Sequence, residues 1–272
     1  MSVPGPRPDH VTGVDWAAHW RGLVEARSEQ LGGARPAAFW DRRAASYGAA
    51  EDGPDPFLEL LAPFLGPGKT VIDVGAGTGR QTAPLTSLVD WVTAVEPSQG
   101  MRERIPEAPN LTLVASAWEE AEVAPADLVV CCHVLYSVAE AVPFLEKVEE
   151  RARERVFVEL RDAQLRHPAE LLWETFTGLR RARQPQLWDL YNLLRWMGIE
   201  PDLAAFTRPA RQRFASLEQA LEDCRLRVGE PWREEEARLW LESHLAPGPG
   251  GAVVFEAPDV PSGVAHWKPR RT

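Results

Sequence analysis

Val71-Ile72-Asp73-Val74-Gly75-Ala76-Gly77-Thr78-Gly79-Arg80 reads as a short apolar strand, a glycine-rich turn and the start of a helix. Working outward from it, short apolar runs alternate with amphipathic stretches, the pattern of a parallel sheet covered on both faces. The spacing predicts strands over 70–74, 91–95, 111–114, 127–132 and 155–160, with helices over 78–88, 98–104, 118–122 and 140–151 between them. Strands joined by such crossovers imply a doubly wound α/β sheet with helices on both faces. Upstream, 14–66 reads as helical over 14–31, 36–47 and 57–65, behind a proline-rich start over 1–13 expected to be disordered. Downstream of the core over 67–160, the stretch 161–250 reads as a helical cap. Its helices are expected over 168–181, 186–197, 217–227 and 233–245, with one sheet strand near 201–207. Terminal strands near 252–256 and 263–268, within 251–272, are expected to complete the sheet.

In such a sheet ligands bind outside the strand carboxyl ends, where the first strand-to-helix turn lies beside the switch in strand order. Glycines in that turn permit positive φ and let a ligand approach backbone where a Cβ would collide. Glu96 follows the second strand, Trp91-Val92-Thr93-Ala94-Val95, where a carboxylate can accept from both hydroxyls of a ribose. That spacing suits either an adenosylmethionine or a nicotinamide cofactor. The turn separates them: a dinucleotide fingerprint requires glycine three residues after Gly77, and Arg80 stands there with Gly79 before it.

The run Asp73-Val74-Gly75-Ala76-Gly77-Thr78-Gly79 is similar to the first motif of class I S-adenosylmethionine-dependent methyltransferases, and Glu96 matches their second-strand acid. The resemblance continues through Ser116-Ala117-Trp118 and Asp127-Leu128-Val129-Val130-Cys131-Cys132-His133-Val134-Leu135. Upstream, Phe39-Trp40-Asp41-Arg42-Arg43-Ala44-Ala45-Ser46-Tyr47 looks like the helix preceding many small-molecule members; in all it covers about residues 37–160. The resemblance implies a mostly parallel seven-stranded sheet whose last strand is antiparallel. It implies S-adenosylmethionine as donor, with S-adenosylhomocysteine as product. Asp73, Gly75, Ala76, Gly77 and the His133 backbone would lie at the donor's amino-acid end, with Tyr47 reaching its carboxylate. Glu96 and Pro97 would lie at its ribose, and Ala117 and Trp118 would border its adenine. Ser116 departs from the pattern, since many relatives carry aspartate there to accept from the adenine amino group.

The donor's methyl is already activated on a sulfonium, so transfer needs alignment and exclusion of water, with no metal and no covalent nucleophile. His133, Tyr136 and Tyr191 are the polar aromatic groups expected near the acceptor, as candidate catalytic residues if a proton must leave. Cys131 and Cys132 invite comparison with pyrimidine-C5 methyltransferases, but Val130 occupies the position of the proline that precedes the nucleophile there. The base-amino methyltransferase motif after strand four is absent too, Cys132-His133-Val134-Leu135 standing in its place.

The formal charge of −10 disfavours a nonspecific grip on nucleic acid. The arginine groups at 180–183 and 208–213 keep an RNA acceptor as an alternative to a small organic one. A noncatalytic cofactor-binding domain is a second alternative, and Arg80 disfavours a third, an NAD-dependent oxidoreductase. No membrane segment is evident, because no run reaches the roughly 20 apolar residues a bilayer requires. Three cysteines without framework spacing fit a reducing, cytoplasmic setting. Homo-oligomer formation and the identity of the acceptor are left open.

Overall fold

The computed structural model describes residues 13–33, 37–44 and 54–270. Tyr47 and the expected disordered start over 1–12 lie outside the described residues. The central sheet has seven strands in the order β3-β2-β1-β4-β5-β10-β6. These are β1 (Gly66–Val74), β2 (Val89–Val95), β3 (Leu111–Val114), β4 (Ala126–Cys132), β5 (Ala152–Arg161), β6 (Asp202–Arg208) and β10 (Val260–Trp267). Strands β1 to β5 pair in parallel, and β10 runs antiparallel between β5 and β6.

Alternation along the strands divides two cores. Ile72, Val74, Val129, Cys131, Val156 and Val158 face one side. Val71, Leu128, Val130 and Phe157 face the other. The first side is covered by α1 (Trp16–Gln30), α6 (Ala141–Arg151) and α8 (Leu187–Trp196). The second is covered by α3 (Pro56–Leu61) and α4 (Thr82–Thr86). Each core strand is therefore apolar on both faces, which is why these segments read as short continuous runs in the sequence. Trp20, 1% exposed on α1, donates its indole N–H to the Val138 carbonyl at 2.8 Å and locks that helix to the loop after β4.

Three sequence-based expectations change. The stretch 118–122 makes a turn in place of a helix, held by the Lys147 ammonium, which donates to the carbonyls of Trp118, Glu119 and Ala121. The helix expected over 186–197 forms as α8 but is no part of a cap. Its Leu187, Leu190, Leu193 and Leu194 are buried in the sheet's own core beside α1. The strand near 252–256 forms as β9 (Val253–Phe255) but does not complete the main sheet. It pairs antiparallel with β7 (Gln212–Phe214) and β8 (Ala246–Pro247) in a separate three-stranded sheet.

That small sheet packs with α7 (Pro168–Thr177), α9 (Leu217–Val228) and α10 (Glu234–His244) around Leu172, Phe176, Leu221, Cys224 and Leu241, a second core separate from that of the main sheet. Gly178 caps α7 in the left-handed conformation at φ 70° and ends it at Thr177, four residues before the expected Arg181.

Candidate functional site

The site is built on the carboxyl ends of β1, β2, β4 and β5. Asp73, next to last in β1, is 2% exposed and accepts from the Thr82 hydroxyl at 2.6 Å, so it ties the strand to α4 across the turn. Burial, with the charge of Glu96 adding to it, raises the Asp73 carboxyl to about 6, and the Thr82 hydrogen bonds oppose the shift. Gly75, Gly77 and Gly79 take φ of 68°, 56° and 87°. The Gly75 and Ala76 amides both donate to the Val95 carbonyl, at 2.8 and 3.1 Å, which folds the turn over the end of β2. A Cβ on Gly75 would stand 2.4 Å from Val134 Cγ2, so glycine is also what lets the β4 loop close against this turn.

Glu96 is held from both sides. Its Oε2 accepts from the Gly77 amide and its Oε1 from the Ser98 amide, each at 2.9 Å. Burial raises its carboxyl above the ordinary glutamate value, while those two amides and Arg102 pull the other way. Pro97 is exposed beside it. The Ser98 hydroxyl donates to Asp41 Oδ1 at 2.6 Å, and the Gly100 amide donates to the same oxygen at 2.9 Å. Asp41 lies on α2 (Ala37–Arg43), whose far end pairs Arg43 with Asp223 of α9 at 3.1 Å. One helix thus bridges the loop after β2 and the second core. The Trp40-Asp41 pair was part of the sequence resemblance, but its partner Ser98 was not legible, because the contact spans 57 residues.

On β4 and β5 the groups form a buried polar row. His133, the residue after β4, has φ 61°, the positive-φ non-glycine residue among those described. Its Nδ1 lies 3.1 Å from the Tyr136 hydroxyl and its Nε2 lies 3.4 Å from Glu159 Oε1. Burial lowers the His133 pKa below its ordinary value despite the nearby Glu159 carboxylate, so the ring is neutral at pH 7. The Tyr136 hydroxyl also accepts from the Arg161 amide at 2.8 Å. Glu159, fully buried, is gripped by the Arg208 guanidinium, which reaches on to Asp55 Oδ1 at 2.7 Å. Burial alone would raise Glu159, but His133 and Arg208 outweigh it and hold the carboxyl below the ordinary range. Glu159, Arg208 and Asp55 carried no signal in the sequence, since they come from three distant segments and none sits in a motif.

The other expected residues divide. Tyr191 stands on α8, where it packs edge-on against the exposed Trp188 at 5.6 Å. Ser116 donates its hydroxyl to the neighbouring Ala117 carbonyl at 3.0 Å, leaving its oxygen free to accept. The Trp118 indole turns into the core, 3% exposed against Phe144, so only its backbone remains near the end of β3. Cys131 and Cys132 are shielded, and burial pushes both thiols up. Neither supplies a thiolate nucleophile near neutral pH. Of the two arginine groups, Arg181 is buried over Trp173 and Arg208 is buried on Glu159, while Arg180, Arg183, Arg211 and Arg213 stay at the surface, Arg183 paired with Asp189.

The turn fits an adenosyl amino acid better than a pyrophosphate. Binding a pyrophosphate relies on a helix whose first amides point at the turn. Here α4 begins only at Thr82 and is five residues long. The neighbouring cation Arg80 lies 3.3 Å from Asp55 and is already engaged.

A family model described as a methyltransferase domain matches residues 43–198. No match is found among curated protein sequences. Among solved structures, a putative methyltransferase from an antibiotic biosynthesis pathway of Anabaena variabilis is 15% identical with a TM-score of 0.52, over 78% of this chain and 97% of that one. The YcgJ protein of Bacillus subtilis is 12% identical with a TM-score of 0.50, over 79% and 98%. Magnesium protoporphyrin IX methyltransferase of Synechocystis, with bound S-adenosylhomocysteine, is 20% identical with a TM-score of 0.46, over 64% and 88%. At these identities the likeness is one of fold.

Proposed function

Since the chain belongs to the methyltransferase-domain family, we propose that it transfers a methyl group from S-adenosylmethionine to a small organic acceptor and releases S-adenosylhomocysteine. The observation that carries the reading is Glu96: a buried carboxylate, each oxygen anchored by one backbone amide, at the end of β2 beside a positive-φ glycine turn. Two amides fix its orientation without exhausting its lone pairs, which suits it to accept from paired hydroxyls. Asp73 acts one layer below, holding α4 and so the turn. Gly75, Ala76 and Gly77 offer backbone that a ligand can approach, and the His133 backbone, folded by its positive φ, closes the same pocket from β4.

When bound, the donor supplies a sulfonium-activated methyl group. What the chain itself supplies is alignment and a dry wall. His133 and Tyr136 are joined at 3.1 Å and face Glu159 and the Arg161 amide, so they serve as a rigid, neutral wall, in which His133 Nε2 makes no hydrogen bond among the described residues. Asp55, Arg208 and Glu159 brace that wall from below. No helix among the described residues is long and apolar enough to cross a membrane. The net charge of −10 supports a small acceptor over RNA.

Calorimetry with S-adenosylmethionine on wild type, Glu96→Gln and Glu96→Ala tests the reading. Wild type is expected to bind, and loss of hydrogen bonds to a charged acceptor should weaken Glu96→Ala about 10- to 100-fold, with Glu96→Gln between them. Absence of binding by folded wild type removes the proposal. Binding without methyl transfer to any acceptor would favour the noncatalytic reading.

A further inference from the structure

Arg161 is the last residue of β5 and half-buried at the carboxyl edge of the sheet. Its neighbours on that edge are neutralised: Arg80 faces Asp55, and Arg208 is clasped by Glu159 and Asp55. The Arg161 guanidinium has no carboxylate partner among the described residues. Its Cζ lies 5.6 Å from the centroid of the Tyr136 ring. The Arg161 amide meanwhile holds the Tyr136 hydroxyl at 2.8 Å, so backbone and side chain of one residue grip both ends of that phenol. Asp162, the adjacent acid, turns away toward Trp188 at the start of α8 and leaves Oδ1 buried without a partner.

An uncompensated, part-desolvated guanidinium is costly in a chain of net charge −10 that had acids to spare for it. Arg161 ends β5 beside Tyr136, which in turn stacks on the His133 ring at 5.9 Å. The donor-side residues Gly75, Gly77 and Glu96 stand on β1 and β2, and β4 separates β1 from β5. Neighbouring strands lie about 4.8 Å apart, so Arg161 is offset from the turn by roughly 10 Å. A planar fork beside an aromatic ring, with no carboxylate on its N–H edge among the described residues, matches a planar carboxylate in two parallel hydrogen bonds.

We propose that Arg161 is the residue that selects the acceptor, and that the acceptor carries a carboxylate which the guanidinium binds while Tyr136 packs against its body. The inference rests on the methyltransferase reading and names the substrate class within it. Tyr136 keeps the fork from swinging, and the single cation favours a monoanion over a phosphate, which needs more donors.

Full-length wild type, Arg161→Gln and Arg161→Lys should first be titrated with S-adenosylhomocysteine by calorimetry, and then, saturated with it, melted in the presence of matched probes. Benzoate, benzamide and benzylamine form one set; hexanoate, hexanamide and hexylamine form the other. Wild type should be stabilised by at least one carboxylate and not by its amide or amine. Arg161→Gln should bind that carboxylate about 10- to 100-fold more weakly, and Arg161→Lys should retain part of the preference. S-adenosylhomocysteine affinity should stay within about twofold in both variants. Lack of any carboxylate preference, or its survival in Arg161→Gln, overturns the inference while leaving the methyltransferase reading intact. A tenfold loss of S-adenosylhomocysteine binding in Arg161→Gln also overturns it, by making Arg161 a donor contact. Failure of wild type to bind S-adenosylhomocysteine removes the underlying reading and this inference with it.

Discussion

Replacing Gly75 by alanine adds one methyl group where backbone and space both refuse it. The residue sits at φ 68°, where an L side chain costs about 1–2 kcal/mol. The new Cβ would stand 2.4 Å from Val134 Cγ2, and a β-branched valine has no alternative rotamer that costs nothing. Relieving such an overlap typically costs about 1–3 kcal/mol, and alanine's smaller unfolded-state entropy returns about 0.4–1 kcal/mol. The net destabilisation should be about 1–4.5 kcal/mol. For a chain of this size it corresponds to a melting temperature lower by roughly 2–18 °C.

A double-mutant cycle with Val134→Ala separates the two contributions. Trimming Val134 removes the overlap but not the φ strain, so Gly75→Ala/Val134→Ala should be about 1–3 kcal/mol more stable than the sum of the single effects predicts. Urea denaturation of the four proteins supplies the free energies. Additivity within about 0.5 kcal/mol would show that the β4 loop does not press on the turn as the geometry states. A Gly75→Ala protein as stable as wild type would refute the strain argument altogether.

Two further outcomes follow from the buried charges. His167, 2% exposed, accepts from the Ala169 amide with Nδ1 and places Nε2 3.3 Å from Asp223. Burial, then the charge of Arg227, lowers its pKa to about 4 despite Asp223. The unfolded chain therefore takes up a proton that the folded chain declines, and stability falls as pH drops from about 6.5 toward 4. Between pH 7 and 5 the loss is about 2 kcal/mol, and urea titrations should show it flattened in His167→Asn. Glu159→Gln removes the carboxylate shared by Arg208 and His133, and urea denaturation should show a cost of about 3 kcal/mol or more. The double variant Glu159→Leu/Arg208→Met should cost less than half of that, and equal costs would mean that the ion pair is not what holds β5 to β6.

How much the sequence carried differs from residue to residue. The β1 turn, Glu96 and the five parallel strands are local features: a strand of continuous apolar residues, a glycine pattern and an acid at fixed spacing lie within a few tens of residues of one another. They were legible because backbone sterics and burial act on contiguous chain. The resemblance to class I methyltransferases added the antiparallel seventh strand, which β10 forms, and the matched family domain agrees. Trp118 was legible as a position but not as an orientation, because its indole is set by Phe144 and Lys147 from α6.

By itself, then, the sequence determined the layer architecture, the glycine turn after β1 and the acid at the end of β2, since hydrophobic period and φ requirements are written locally. Only the tertiary structure decided which groups stand opposite one another. It set Tyr191 against Trp188 on α8, joined Glu159, Arg208 and Asp55 beneath His133, sent residues 253–255 into a second sheet, and left Arg161 facing no acid among the described residues. The physical reason is that a charge or a ring acquires its chemistry from its neighbours. At the carboxyl edge of this sheet those neighbours arrive from segments as far as 153 residues apart, as Asp55 and Arg208 do.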